Sequence, residues 1–523
     1  MAEPRAATAS AVHPAALPAA EWHSDATPAE VHHFAALTST AQLWGYLRRL
    51  AQRYPRRVRL EVVGRSERGV PLVAVRVGDA AAPLRALLFA QQHGNEPAGK
   101  EACLLLAREL AAGALAPLLE RLVVWLVPQV NPDGAAAQQR LNAAGLDLNR
   151  QHPLLRAPEQ RALYGLFHRV RPHLTIDLHE LCVEKARFAP YGIMAAHDLM
   201  AEGPTHLNLS AEFRALGQRV LEHVGRRLHE QGFAFHRYLV HREVTGPLAE
   251  VLRYSTLDVD DGRNTPALFG TLAFLTEAMR HRDPLARLER RVRATLAAVV
   301  AILEYAGAHA DGIRVQVAAE RARLAAWTDA PVVLRSCYRA AVREPPLRVA
   351  YRDLATGREG EYVLPQARIA PRVVLARPLP AAYWLDPLAL GLAGPPLLAA
   401  LAGHGVRLTR LAAPRQARVA VCTVHATALG DRGRRQARVR RRARTALLPA
   451  GALLLDPRQH GGLLAALLLE PEATDGLLAR GLWDAAPGTP YPVRHVLAWA
   501  LDPARTAPRG HGRAAGAVPD PVS

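Results

Sequence analysis

Lysine is almost missing from this chain: it occurs only at positions 100 and 185, so nearly all of the 66 basic residues are arginine. Cysteine is as sparse. The four thiols, Cys103, Cys182, Cys337 and Cys422, lie far apart with no Cys-x-x-Cys pair, which excludes a disulfide framework and an all-cysteine metal site. Aromatic residues make up 5% of the chain, and none interleaves with the densest basic run, Arg434 to Arg444. That run lacks the stacking platforms of a nucleic-acid groove and reads as a solvated strand or loop. The formal charge of +19 then reflects an arginine-rich composition, with no nucleic-acid partner expected. No window reaches the ~18 uninterrupted apolar residues of a membrane helix, so no membrane partner is expected either. The first residues, with Glu3, Arg5 and His13 in Ala-rich sequence, lack the apolar core of a secretory signal. This points to the cytoplasm.

What is present is apolar residue, 50% of 523 positions, enough for a large core and two domains. Residues 1–36 show no period and read as a loose arm. From residue 37 to 306, short β-rich runs (58–63, 72–77, 84–90, 122–127, 174–178, 272–275) alternate with helical patterns (41–54, 101–111, 156–170, 284–305), which implies an α/β layered domain. Beyond Gly307 and Gly312 the pattern changes to short strands and turns, a β-rich accessory domain over 315–505, followed by a disordered tail at 506–523.

The run Leu84 to Ala90 leads into Gln91-Gln-His-Gly-Asn-Glu-Pro97. Glycine frees the turn, Pro97 suits the first position of a helix, and His93 and Glu96 point towards one place. Such a pair offers one nitrogen and one carboxylate to zinc; His179, after the strand 175–178, is the natural third ligand of a site that keeps a position for water.

These residues fall within an ordered set: Gly64-Arg-Ser-Glu-Arg-Gly69, His93-x-x-Glu96, Asn131-Pro-Asp-Gly134, Arg140, Asp147-Leu-Asn-Arg150, His179 and Glu277. The order resembles the zinc carboxypeptidase family of carboxypeptidases A and B over residues 37 to 306. The resemblance implies a three-layer sandwich around a mixed, mainly parallel eight-stranded sheet, with peptide substrate cut at the strand ends. It implies one zinc per chain held by His93, Glu96 and His179, with Glu277 as general base and Arg140 steadying the developing oxyanion. Asn149 and Arg150 would grip the substrate's terminal carboxylate, and Asp147 would orient His93. The interval from His93 to His179 is short, and the family's mobile tyrosine matches only Tyr254, loosely. In Asp258 to Asn264, Asp260 or Asp261 would favour a basic C-terminal residue and Arg263 an acidic one. Glu180 should diverge from His179 along an extended strand and sit behind the site or on the surface. The same turn also resembles deacylases of the aspartoacylase and succinylglutamate desuccinylase type, a second reading of the reaction. A catalytically dead binding module is a third.

Overall fold

Burial separates two kinds of strand. β1 (Val58–Arg65) is buried only at Val58 and is otherwise half-buried or exposed, whereas β4 (Leu122–Val127) and β11 (Leu272–Arg280) are buried throughout. Continuous burial requires cover on both faces, the signature of a three-layer α/β arrangement. The computed structural model describes residues 25–183, 191–241, 247–328, 330–430, 433–484 and 486–500. Between β1 and β11 lie β2 (Pro71–Val77), β3 (Leu84–Ala90), β5 (Leu174–Cys182), β6 (Ile193–Ala195), β7 (Leu199–Glu202), β8 (Phe235–Arg237), β9 (Leu239–His241) and β10 (Leu252–Tyr254). Eight of them form one mixed sheet in the order β1-β2-β4-β3-β5-β11-β7-β8. β4, β3, β5 and β11 run parallel to one another, and the antiparallel pairings are β1 with β2, β2 with β4, and β11 with β7. Helices Ala98–Ala111, Ala211–Glu230 and Leu288–Ala308 pack together against this sheet, and Pro158–Val170 crosses β1 and β3.

Two strands run further than apolar runs predict. β5 continues past Leu178 to Cys182 and β11 past Leu275 to Arg280, because their ladder persists and the polar residues it carries are themselves buried. His179 and Glu277 therefore sit within the sheet and directly oppose each other in register.

The arm expected to be loose is ordered over its described part. Thr27 and Glu30 close a capping box on the short helix Pro28–Val31, Glu30 pairs with Arg108 at 2.6 Å, and Phe34 is buried. Composition carries no signal of such local pairing. Residues 1–24 and the expected tail at 506–523 lie outside the described residues.

The break expected near Gly307 and Gly312 falls at His309, where helix Leu288–Ala308 gives way, at 89°, to helix Ala310–Ala326. After it come paired strands and a six-stranded antiparallel sheet, together with helices Gly394–Gly403 and Gly462–Leu469. The strand read at 447–455 is broken: Arg435–Leu448 ends, Gly451 turns at φ 81°, and Leu453–Leu455 follows. The two regions are joined by pairing and by packing. Strand Leu347–Asp353 pairs with β6, and Leu463, Leu464 and Leu467 enter the main core. Among the described residues no single helix is long and apolar enough to cross a membrane.

Candidate metal and catalytic centre

The turn after β3 is shaped by close approach. A Cβ on Gly94 would lie 2.0 Å from the carbonyl carbon of Gly134, so only glycine lets the His93 turn pack against the Asn131-Pro-Asp-Gly134 turn. Asn131 locks the two together, donating from Nδ2 to the Gln92 carbonyl at 3.1 Å and accepting from the Gly134 amide at 2.9 Å. Asp133 in turn accepts from the Ser66 hydroxyl at 2.9 Å and the Arg68 amide at 3.0 Å. Three separate sequence motifs thus brace one turn.

On that turn His93 Nδ1 lies 2.8 Å from Glu96 Oε1, and across from it His179 Nδ1 lies 2.9 Å from Glu96 Oε2. Ligand atoms of the three residues fall within 4.8 Å of one another, and all three side chains are buried. Two imidazole nitrogens and a carboxylate oxygen converging on one point fit zinc, which favours nitrogen and oxygen donors and few ligands. Burial alone would raise the Glu96 carboxyl, but the two imidazoles hold it well below the usual range. Burial would likewise depress His179, yet Asp177 and Glu96 drive it well above its ordinary value.

The far nitrogens are held as well. His93 Nε2 meets Asp147 Oδ1 at 3.1 Å, and His179 Nε2 meets Asp177 Oδ2 at 2.9 Å and Asn149 Nδ2 at 3.1 Å. Carboxylates placed behind imidazoles orient the ring and raise its basicity. Asp177 carries no motif, but its position two residues before His179 on the same strand face was a usable signal. Gly262 completes this wall, because a Cβ there would lie 2.2 Å from Asp177 Oδ2.

Arg140 grips Asp147 with Nε at 3.1 Å and Nη2 at 2.9 Å, while Nη1 reaches to 3.3 Å of His93 Nδ1. Glu277 is buried on β11 opposite His179. Burial pushes its carboxyl up to about 7, with Glu96 adding to the rise and His179 and a hydrogen bond from Tyr238 opposing it.

Residues 43–180 match the family model described as zinc carboxypeptidase. Over that segment the chain is similar to the zinc carboxypeptidase family. It is 31% identical over 226 residues to carboxypeptidase 2 of Trichophyton tonsurans, covering 43% of this chain and 42% of that protein. It is 29% identical over 140 residues to carboxypeptidase SOL1 of Arabidopsis thaliana, covering 23% of this chain and 28% of that one. The carboxypeptidase A structure from Helicoverpa armigera aligns at 17% identity and a TM-score of 0.41, over 53% of this chain and 75% of the other. The chain thus spans less than half the length of the curated relatives named here.

The family match ends at residue 180, so Glu277 and the tyrosines lie beyond it. The half-buried ring of Tyr254 takes the Arg237 guanidinium at 3.8 Å and packs against a hydrophobic cluster that includes Leu347 and Val349 of the C-terminal region. The tyrosine that reaches Glu277 is Tyr238, just after β8, which sequence spacing alone does not single out. Asn149 is buried, its Oδ1 accepting from the Gly262 amide at 2.9 Å, while the Arg150 side chain keeps 36% of its surface exposed. Arg263 is enclosed among Gly203, Thr205, Ser255, Thr256 and Asp261. Glu180 is no surface residue: it is buried against Arg291 and accepts from the Ala98 amide at 2.8 Å.

Proposed function

We propose that the chain is a metallocarboxypeptidase that hydrolyses the C-terminal peptide bond of peptides. The observation that carries this reading is the convergence of His93, Glu96 and His179 beside Glu277, which opposes His179 in the adjoining strand. Zinc held by those three residues would polarise the scissile carbonyl and acidify a water molecule. Glu277, with a carboxyl pushed towards neutrality by burial, takes the proton of the attacking water and delivers it to the leaving amine as the C–N bond breaks and a C–O bond forms. Arg140 offers a guanidinium, fixed by Asp147, to the developing oxyanion. Arg150, exposed beside the buried Asn149, takes the substrate's terminal carboxylate through its planar fork.

The test is a set of peptides with free or amidated C-termini, digested with and without a chelator and read by mass spectrometry. Free peptides should lose one residue at a time, and the chelator should stop the loss. Amidation should raise KM and lower turnover sharply. Equal cleavage of both forms removes the carboxylate clamp from Arg150, and cleavage only of acyl-amino acids replaces the peptidase by a deacylase.

A further inference from the structure

The C-terminal region reaches into the wall beside Arg150. Arg434, at the start of strand Arg435–Leu448, contacts Asp260 directly and pairs with Asp475 at 2.6 Å. Asp475 is also held by Arg480 at 2.7 Å and accepts from the Val259 amide at 3.1 Å. Arg480 donates to the Arg150 carbonyl at 3.3 Å, and Arg150 Nε lies 3.6 Å from the same Asp260 oxygen that Arg434 touches. Asp260 has no exposed surface. It is the acid paired with Arg150, and a second arginine, Arg434, already faces it. A substrate cation there would have to displace Arg434 and leave that buried charge poorly compensated, at high cost.

Outside this ion-pair chain lies a cavity of about 480 Å³ walled by Arg150, Arg156, Arg434, Arg435 and Arg480, with Asp484 the acid on its lining. Behind the wall stand Asp260 and Asp475, with Asp258 acting on Arg434 at longer range. Cations remain in excess, and Arg156 is exposed with no ion pair among the described residues. Because Arg150 and Arg434 meet one oxygen of Asp260, their nearest nitrogens are within about 6 Å of each other. The two carboxylate carbons of a C-terminal glutamate are separated by up to ~5 Å, a span that suits this pair.

We propose that Arg434, supplied by the C-terminal region, sets the side-chain preference of the cleft. It occupies Asp260, so that a basic C-terminal residue is refused, and beside Arg150, which keeps the terminal carboxylate, it joins Arg156 in an arginine-walled subsite for the side-chain carboxylate of an acidic one. The proposal deepens the carboxypeptidase reading and rests on it for Arg150.

The experiment uses the full zinc-loaded chain and three peptides that differ only in a last residue of Glu, Ala or Lys. The expected order of kcat/KM is Glu, then Ala, then Lys, with Glu ahead of Lys by at least about tenfold, the scale of one well-placed charged contact. Arg434→Gln should invert that order by releasing Asp260, and Arg434→Lys should restore it. Arg156→Gln, which breaks no ion pair, should lower the Glu to Ala ratio several-fold and keeps the test alive if Arg434→Gln does not fold. Glutarate and butyrate binding, measured by calorimetry on the wild type and Arg156→Gln, gives a readout independent of turnover, since any binding to the metal is common to both proteins. If no peptide is cut but glutarate binds more weakly to Arg156→Gln, the peptidase reading fails and the subsite stands. Equal rates on the three peptides, or Lys ahead of Glu in the wild type, overturn the proposal.

Discussion

Two buried clusters of charge in this molecule solve the same problem in opposite ways. In the C-terminal region Glu470 accepts from the Tyr383 hydroxyl at 3.0 Å and faces Arg441 at 3.2 Å, while Glu472 meets Arg441 at 2.5 Å and Arg377 at 3.2 Å. Each acid there has a permanent cation, so the cluster is complete as folded. Around Glu96 the nearest partners are two imidazoles, with the closest guanidinium, Arg140, at 3.6 Å and committed to Asp147. An imidazole carries positive charge only when protonated, so this acid is compensated only when protons or a metal supply the charge. Pairing makes a strut, whereas convergence makes a site that asks for a cation.

The sharpest way to break that contrast is to remove a convergent donor. His93→Ala should take the zinc content from about one per chain to near zero and abolish peptide cleavage, because two remaining donors do not complete a site. Glu470→Gln should leave zinc at the wild-type level. Elemental analysis of both variants decides it: equal zinc in His93→Ala and the wild type would mean that these three residues are not the metal site.

Next in size is Glu277→Gln, which keeps shape and hydrogen bonding but cannot accept the water's proton. Zinc should remain and kcat should fall by at least ~100-fold. The contrasting variant is Glu180→Gln on the neighbouring position of β5. Its carboxylate faces Arg291 on the opposite side of the strand, so it should lower thermal stability and retain most activity. A dead Glu180→Gln with its zinc retained and an active Glu277→Gln would identify the wrong base.

Much of the candidate metal centre was legible because its residues stand in short motifs with fixed spacing: a glycine turn after an apolar run, a His-x-x-Glu pair, and a histidine closing a second run. The alternation of strand and helix likewise gave the layered sheet. What was illegible depends on contacts between distant segments. Tyr238 reaches Glu277 only through the course of the chain after β8, and Tyr254, which has the better spacing, is drawn away by Arg237 and the C-terminal packing. Asp260 looked like a specificity acid from sequence, but its meaning changes once Arg434, 174 residues further on, is seen to face it. Strand ends were misjudged at Leu178 and Leu275 for a related reason: burying polar residues in the sheet needs partners that no local pattern reveals.

The strut predicts a loss of stability without loss of metal. Arg441→Met removes the cation shared by Glu470 and Glu472 and leaves two buried acids with fewer partners. Unfolding free energy should drop by about 3 kcal/mol, the scale of breaking a buried ion pair from one side. Denaturant titration measures the drop, and zinc analysis should show no change. A stability loss below about 1 kcal/mol would mean that Tyr383 and Arg377 carry the cluster without Arg441.

The smallest effect comes from pH and concerns the zinc-free protein. Burial is the main reason that the Glu277 carboxyl rises to about 7 in the folded state, against roughly 4.3 in an unfolded chain. The folded form therefore holds this proton more tightly than the unfolded one. The resulting stabilisation is fully present below about pH 4 and is lost as pH rises through 7. A glutamine side chain cannot ionise, so the Glu277→Gln variant lacks this loss. Relative to the wild type, its melting temperature should rise as pH goes from 5 to 8, with a free-energy difference on the order of 2 kcal/mol between those limits. Adding zinc should shrink the difference, since a nearby cation favours the carboxylate. A gap between the two proteins that is the same at pH 5 and pH 8, without metal, would show that Glu277 is ionised throughout and that burial does not prepare it as a base.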